Sequence, residues 1–236
     1  MQIVEEFIED IPILMVYKSS EVGKFKGSIL FFHGLESDKE NYLEVYKRLA
    51  SENFLVVGVD NRLHGKRRPE NYHDLFNWDT PDVWRVFFNA VYQTACDVPL
   101  IIDYLVNSEI CPSSHFGISG VSMGGYIAYT AVTIDSRIKV AAPLISSPHY
   151  KEDQEKSPDS QLEKFKNIYL LSQTAGLDTT VPPHEAREFH KILNEKFPCE
   201  KEQYRYIEYP NSEHMLREED WSDAIDEMVE WFHKYL

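Results

Sequence analysis

Three cysteines in 236 residues, Cys96, Cys111 and Cys199, are too few and too widely spaced for a disulfide scaffold or a thiolate metal site. All three are expected to be reduced thiols. Positive charge is scarce as well: 24 Lys and Arg stand against 39 Asp and Glu, a net charge of −15. Such a surface repels phosphate backbones and anionic headgroups, so neither nucleic acid nor a membrane surface is expected as a partner. No apolar run approaches the ~18 residues of a membrane span. The acidic start Met1-Gln2-Ile3-Val4-Glu5-Glu6 lacks the basic and apolar regions of a signal peptide, and a cytoplasmic location is the expectation. Internal repeats, Pro/Gly/Ser-rich linkers and low-complexity tracts are missing too, so residues 1–236 are expected to form one domain. No metal and no organic cofactor is expected, and the sequence carries no sign of oligomeric state.

What is present suffices for a sizeable core, with 43% hydrophobic and 13% aromatic residues. Two β-like runs, residues 3–8 and 13–17, flank a turn at 10–12 and predict an antiparallel hairpin. Beyond it, short apolar runs alternate with helix-periodic ones. Strands are expected at 28–32, 54–60, 115–119, 140–145, 168–172 and 204–209, and helices at 40–51, 126–134, 185–196 and about 220–235. Residues 81–106 also have helical spacing, with Pro99 predicting a break or kink. Alternation of this kind implies an α/β fold, a mostly parallel central sheet with helices on both faces.

The pentapeptide Gly120-Val121-Ser122-Met123-Gly124 lies where the strand at 115–119 passes into a helix. Gly-x-Ser-x-Gly occurs often by chance, and the strand–turn–helix setting is what gives it meaning. A sharp turn exposes the hydroxyl, and small flanking residues let the backbone close. A serine hydroxyl is a weak nucleophile at neutral pH, so it needs a base in hydrogen-bond reach and a third group that fixes the base's tautomer. His214 follows the strand at 204–209, at the carboxyl end where open α/β sheets gather their sites. His149 is its rival, while His184, His190 and His233 fall in or beside helix patterns. Asp178, after the strand at 168–172, is the candidate acid, and Asp153 is the alternative. Acyl transfer also needs donors for an oxyanion. The candidates are the backbone N–H of Met123 and, from the loop His33-Gly34-Leu35, that of Leu35; His33 itself is expected to brace this loop.

Together these residues resemble the α/β-hydrolase superfamily, and within it the small esterases related to dienelactone hydrolases and to the catalytic domain of prolyl oligopeptidases. The similarity covers nearly the whole chain. It rests on Phe31-Phe32-His33-Gly34-Leu35, on Val59-Asp60-Asn61-Arg62-Leu63-His64-Gly65, on residues 120–125, on residues 176–182 with Asp178, and on Ser212-Glu213-His214. The resemblance implies a structural role for the segment from Asp60 to Gly65. The chain departs from the family pattern at Thr174-Ala175, where relatives more often carry a glycine or a polar pair, and at Leu63, where glycine is usual.

Members of the superfamily often insert a lid after the strand that here ends near Ile145. In this chain that connection, residues 146–166, is short, polar and charged, so no large lid is expected and long-chain lipids fit poorly. The bulkier elaboration is residues 72–92. Phe76, Trp78, Trp84 and Phe88, with Phe87 and Tyr92, are candidates for the wall of a small apolar acyl pocket, and ordinary helix-face core is the competing reading. Three functions follow. The leading one is hydrolysis of small or short-chain carboxylic esters through an acyl-enzyme on Ser122. The second is a peptidase or amidase on the same fold, disfavoured because peptidase relatives carry an extra propeller or cap domain for which this chain has no room. The third is a non-catalytic small-molecule binding or sensor protein.

Overall fold

The computed structural model describes residues 1–18, 25–108, 110, 115–198 and 202–236. Strands β1 (Gln2–Ile8), β2 (Ile11–Tyr17), β3 (Ser28–Phe32), β4 (Leu55–Val59), β5 (Phe116–Val121), β6 (Ile138–Leu144), β7 (Tyr169–Ala175) and β8 (Tyr204–Tyr209) form one sheet, ordered β1-β2-β4-β3-β5-β6-β7-β8. β2 pairs antiparallel with β1 and β4, and the other pairs are parallel. Helices α1 (Leu43–Ser51), α2 (Tyr72–Leu75), α3 (Val83–Asn107), α4 (Met123–Ile134), α5 (His184–Lys196) and α6 (Glu218–Tyr235) complete the regular structure.

Side chains alternate across a strand, and β3 shows where each goes. Leu30 and Phe32 join Ile101 of α3, Ile127 of α4 and Leu193 of α5 in one apolar cluster. Ile29 and Phe31 join Tyr46 and Leu49 of α1 and Met228 and Phe232 of α6 in another. Burial on both faces is why β3 and β4 read as unbroken apolar runs, with each buried side chain contributing roughly 2 kcal/mol. α4 carries no charged residue and is almost wholly buried, so the segment behind Ser122 is held on every side.

Several boundaries differ from the sequence reading. The first turn is Glu9-Asp10, with Ile11 and Pro12 inside β2, because Pro12 pairs with Phe7 in a two-residue hairpin. The helix expected from residue 40 opens as a 3₁₀ turn, Lys39–Tyr42, capped by Asp38, before α1 begins. α3 runs unbroken through Pro99. Val98, Ile101, Ile102 and Leu105 around it are fully buried, and that packing outweighs the ~3 kcal/mol a mid-helix proline costs. β5 and β7 extend to Val121 and Ala175, beyond the glycine and polar residues that mask strand character in the sequence. The connection after β6 holds only the short 3₁₀ turns Pro158–Ser160 and Leu162–Phe165. Cys96 is an exposed free thiol, while Cys111 and Cys199 lie outside the described residues. No described helix is long and apolar enough to cross a membrane.

Candidate active site

β5 ends at Val121 and α4 begins at Met123, so one residue, Ser122, makes the whole turn. It sits at φ +54° and ψ −112°, a backbone conformation that costs a non-glycine residue about 1–3 kcal/mol. The approach is close enough that a Cβ on Gly124 would lie 2.0 Å from the carbonyl oxygen of Phe32. Only hydrogen fits there, which is why glycine stands two residues after the serine.

The hydroxyl at this turn has partners. Ser122 Oγ lies 2.9 Å from His214 Nε2, and His214 Nδ1 lies 2.7 Å from Asp178 Oδ2. A carboxylate oxygen accepts, so Nδ1–H donates to Asp178 and Nε2 turns its lone pair toward the serine hydroxyl. Asp178 is buried, and its other oxygen accepts the N–H groups of Thr180 and Val181 at 2.8 and 2.9 Å. Two backbone hydrogen bonds fix the carboxylate before the imidazole is considered. The rivals are engaged elsewhere: His149 Nδ1 meets Asp159 at 2.7 Å, and Asp153 pairs with Lys156 at 2.9 Å.

Met123 is the first residue of α4, so its N–H has no intrahelical acceptor and stands at the positive end of the helix. The loop with Leu35 runs alongside; a Cβ on Gly34 would be 3.9 Å from Ser122 Cβ. His33 braces this loop from inside. Its Nε2 accepts the Asn61 N–H at 3.1 Å, which leaves Nδ1 to donate to the Gly34 carbonyl at 2.7 Å. Burial pushes the His33 pKa down to about 4, so the ring is neutral in this role. Asp60 lies beneath, accepting from the Lys39 ammonium and from the N–H groups of Lys39 and Lys66, each at 3.0 Å. Burial alone would lower the Lys39 pKa, but Glu40, Glu5 and Asp60 together raise it above the usual lysine value. Leu63, the departure noted in the sequence, takes φ +66°, a conformation for which glycine is the easy choice.

Ser122 and His214 open into a cavity of about 920 Å³. Trp78, Trp84, Phe87 and Tyr126 line one side, and Tyr42, Leu216 and Trp221 are also in the lining, with Met215 83% exposed. Of the four aromatic candidates from the sequence, Trp78 and Trp84 are in this wall. Phe76 and Phe88 are not: Phe76 packs on Tyr72 and His64, and Phe88 stacks on Tyr150 with centroids 4.5 Å apart. Trp84, Phe87 and Phe88 are spaced i, i+3 and i+4 on α3, and Phe88 is the one that Tyr150 covers. Tyr42 and Trp221 were missed, because they come from segments far apart in the chain. Ile145, at φ +41°, also lines the cavity, an unusual conformation for a β-branched residue.

The sheet order, the turn at Ser122 and the hydrogen-bonded series behind it define an α/β hydrolase. The family model described as serine aminopeptidase, S33 matches residues 23–182, more than half of the 236 residues, and the chain belongs to that family. His214 lies beyond the matched span. Over its full length the chain is 22% identical to the full length of a Bacillus subtilis (strain 168) protein named "Putative esterase YitV". Among solved structures it is similar to TT1662 from Thermus thermophilus, with 17% identity, TM-score 0.77 and 98% of each chain covered. It is also similar to a Klebsiella pneumoniae protein named "Putative Dienelactone Hydrolase", with 16% identity, TM-score 0.73 and 99% of each chain covered.

Proposed function

We propose that the protein is a serine hydrolase that cleaves small or short-chain carboxylic esters through an acyl-enzyme on Ser122. His214 Nε2 takes the hydroxyl proton as Ser122 Oγ attacks the ester carbonyl, and Asp178 stabilises the imidazolium that forms. The N–H groups of Met123 and Leu35 receive the oxyanion, each such donor being worth about 3 kcal/mol in the transition state. Collapse expels the alcohol, protonated by His214, and a water molecule activated by the same imidazole releases the acid. The observation that carries this reading is the series Ser122–His214–Asp178, at 2.9 and 2.7 Å, ending in a hydroxyl on the cavity wall. The same reading takes residues 1–236 as one domain working in the cytoplasm on a small molecule, without nucleic acid or membrane.

One observation favours a second reading. The family is described as an aminopeptidase, and the cavity lining includes one carboxylate, Glu218 at the start of α6, which could receive a substrate ammonium. Short p-nitrophenyl esters, amino-acid p-nitroanilides and a fluorophosphonate probe, applied to wild type and Ser122→Ala, separate the cases. The ester reading expects probe labelling and ester turnover that vanish together in Ser122→Ala. Preferential anilide cleavage supports the peptidase, and an unlabelled wild type leaves a binding protein.

A further inference from the structure

Among the described residues one lysine is in the cavity lining, and its surroundings are unusual for a chain with 39 acidic residues against 24 basic ones. Lys151 follows β6 and places its ammonium over the Trp84 ring, 4.1 Å from the centroid. Among the described residues no carboxylate pairs with it, whereas its neighbours Asp153 and Lys156 pair with each other at 2.9 Å. At this exposed position the cation–π contact is weak, and it sets the ammonium against the wall without neutralising its charge. Trp84 in turn packs edge-on against Trp78 at 5.2 Å and Phe87 at 5.9 Å, all three within the cavity that contains Ser122. The lining's one carboxylate, Glu218, begins α6, away from this aromatic group in the chain. The cavity therefore joins an apolar surface, an unpaired cation at that surface and a nucleophile.

We infer that the site takes esters bearing a carboxylate, with that anion on Lys151 and the apolar body of the substrate along Trp78, Trp84 and Phe87. This rests on the serine-hydrolase reading for turnover, but binding of the anion does not require it. The cavity volume, about 920 Å³, is at the upper end for drug-sized ligands, so a short neutral ester leaves this surface unused.

Two matched pairs of esters test the inference. One carries the anion on the acyl side, p-nitrophenyl hemiglutarate against p-nitrophenyl hexanoate. The other carries it on the alcohol side, para-acetoxybenzoate against para-tolyl acetate. The expected result is that in one pair the wild type favours the anionic member by roughly tenfold in kcat/KM, the scale of a charge-assisted contact. Lys151→Gln removes that preference, Lys151→Glu reverses it, and the neutral member keeps its rate in both. In Ser122→Ala, binding of the same esters read by tryptophan fluorescence shows the same preference with no chemistry involved. The inference is overturned if neither pair shows an anionic preference, or if Lys151→Gln slows both members of a pair alike. Turnover without charge preference leaves the hydrolase and removes the anion site. Anion-selective binding that Lys151→Gln abolishes, without turnover of any ester, leaves the anion site and removes the hydrolase.

Discussion

The carbonyl oxygen of Ser212 accepts the backbone N–H of Leu177 at 2.9 Å, joining the loop that carries His214 to the loop that carries Asp178. The Ser212 side chain extends the tie into α6: its hydroxyl donates to Asp220 Oδ2 at 2.6 Å and accepts the Arg217 N–H at 3.0 Å. Hydrogen bonds to Ser212 and Arg217 also hold the Asp220 carboxyl below its ordinary pKa. Ser212 is buried, so no water substitutes for a lost partner at little cost.

Ser212→Ala is expected to loosen the spacing between Asp178 and His214 and to lower kcat roughly ten- to hundredfold with KM little changed, since small misplacements are costly in such a site. Ser212→Thr, which keeps the hydroxyl, is expected to recover most of the rate. Steady-state kinetics on both variants check this; a loss confined to KM would contradict it.

Asp178→Asn keeps an acceptor for Thr180 and Val181 but presents an amide N–H to His214. The imidazole then turns Nδ1 into an acceptor and carries its proton on Nε2, facing Ser122 with the wrong end. A loss on the order of 10⁴ in kcat is expected, with an unchanged unfolding midpoint in urea.

Ser122→Gly tests the strain at the turn. Glycine adopts φ +54° without penalty, so the variant is expected to be inactive yet more stable by about 1 kcal/mol, after allowing for the greater freedom of its unfolded chain. Chemical denaturation beside wild type measures this, and a less stable glycine variant would remove the claim of strain.

Acid stability follows from two buried histidines. Burial lowers His33 from 6.5 to about 4 and His190 from 6.5 to about 3, and His190 Nδ1 has no hydrogen-bond partner to favour a second proton. The unfolded chain therefore binds more protons below pH 6.5. The stability these groups confer is complete above that value and declines as pH falls toward their folded values, by about 1.4 kcal/mol per pH unit for each. Urea midpoints between about pH 7.5 and pH 5 should fall accordingly. A flat profile would show that the folded protein binds these protons as readily as the unfolded chain.

The order of elements was legible because buried parallel strands are short, apolar and separated by helices. β3 and β8 were readable to the residue: each is bounded by turn or polar residues on both sides. β5 was cut short at Ser119, since Gly120 has no side chain to signal a strand, and Pro99 suggested a break that packing overrides. At the candidate site, Ser122, His214 and Asp178 each follow a strand at its carboxyl end, a placement visible from pattern alone. The cavity wall was legible only in half. Whether Phe76 or Phe87 faces the cavity depends on what else touches it, and Tyr42, Lys151 and Trp221 enter from three segments far apart in the chain.

β5 lies in the middle of the sheet, between β3 and β6, whereas β8 is a border strand with a neighbour on one side only. Under the proposed roles, the nucleophile belongs to the middle of the sheet and its base hangs from a border strand, paired on one side only. Warming that peels β8 away would disconnect the proton acceptor while the central layers endure, so inactivation and melting would be two events separated in temperature.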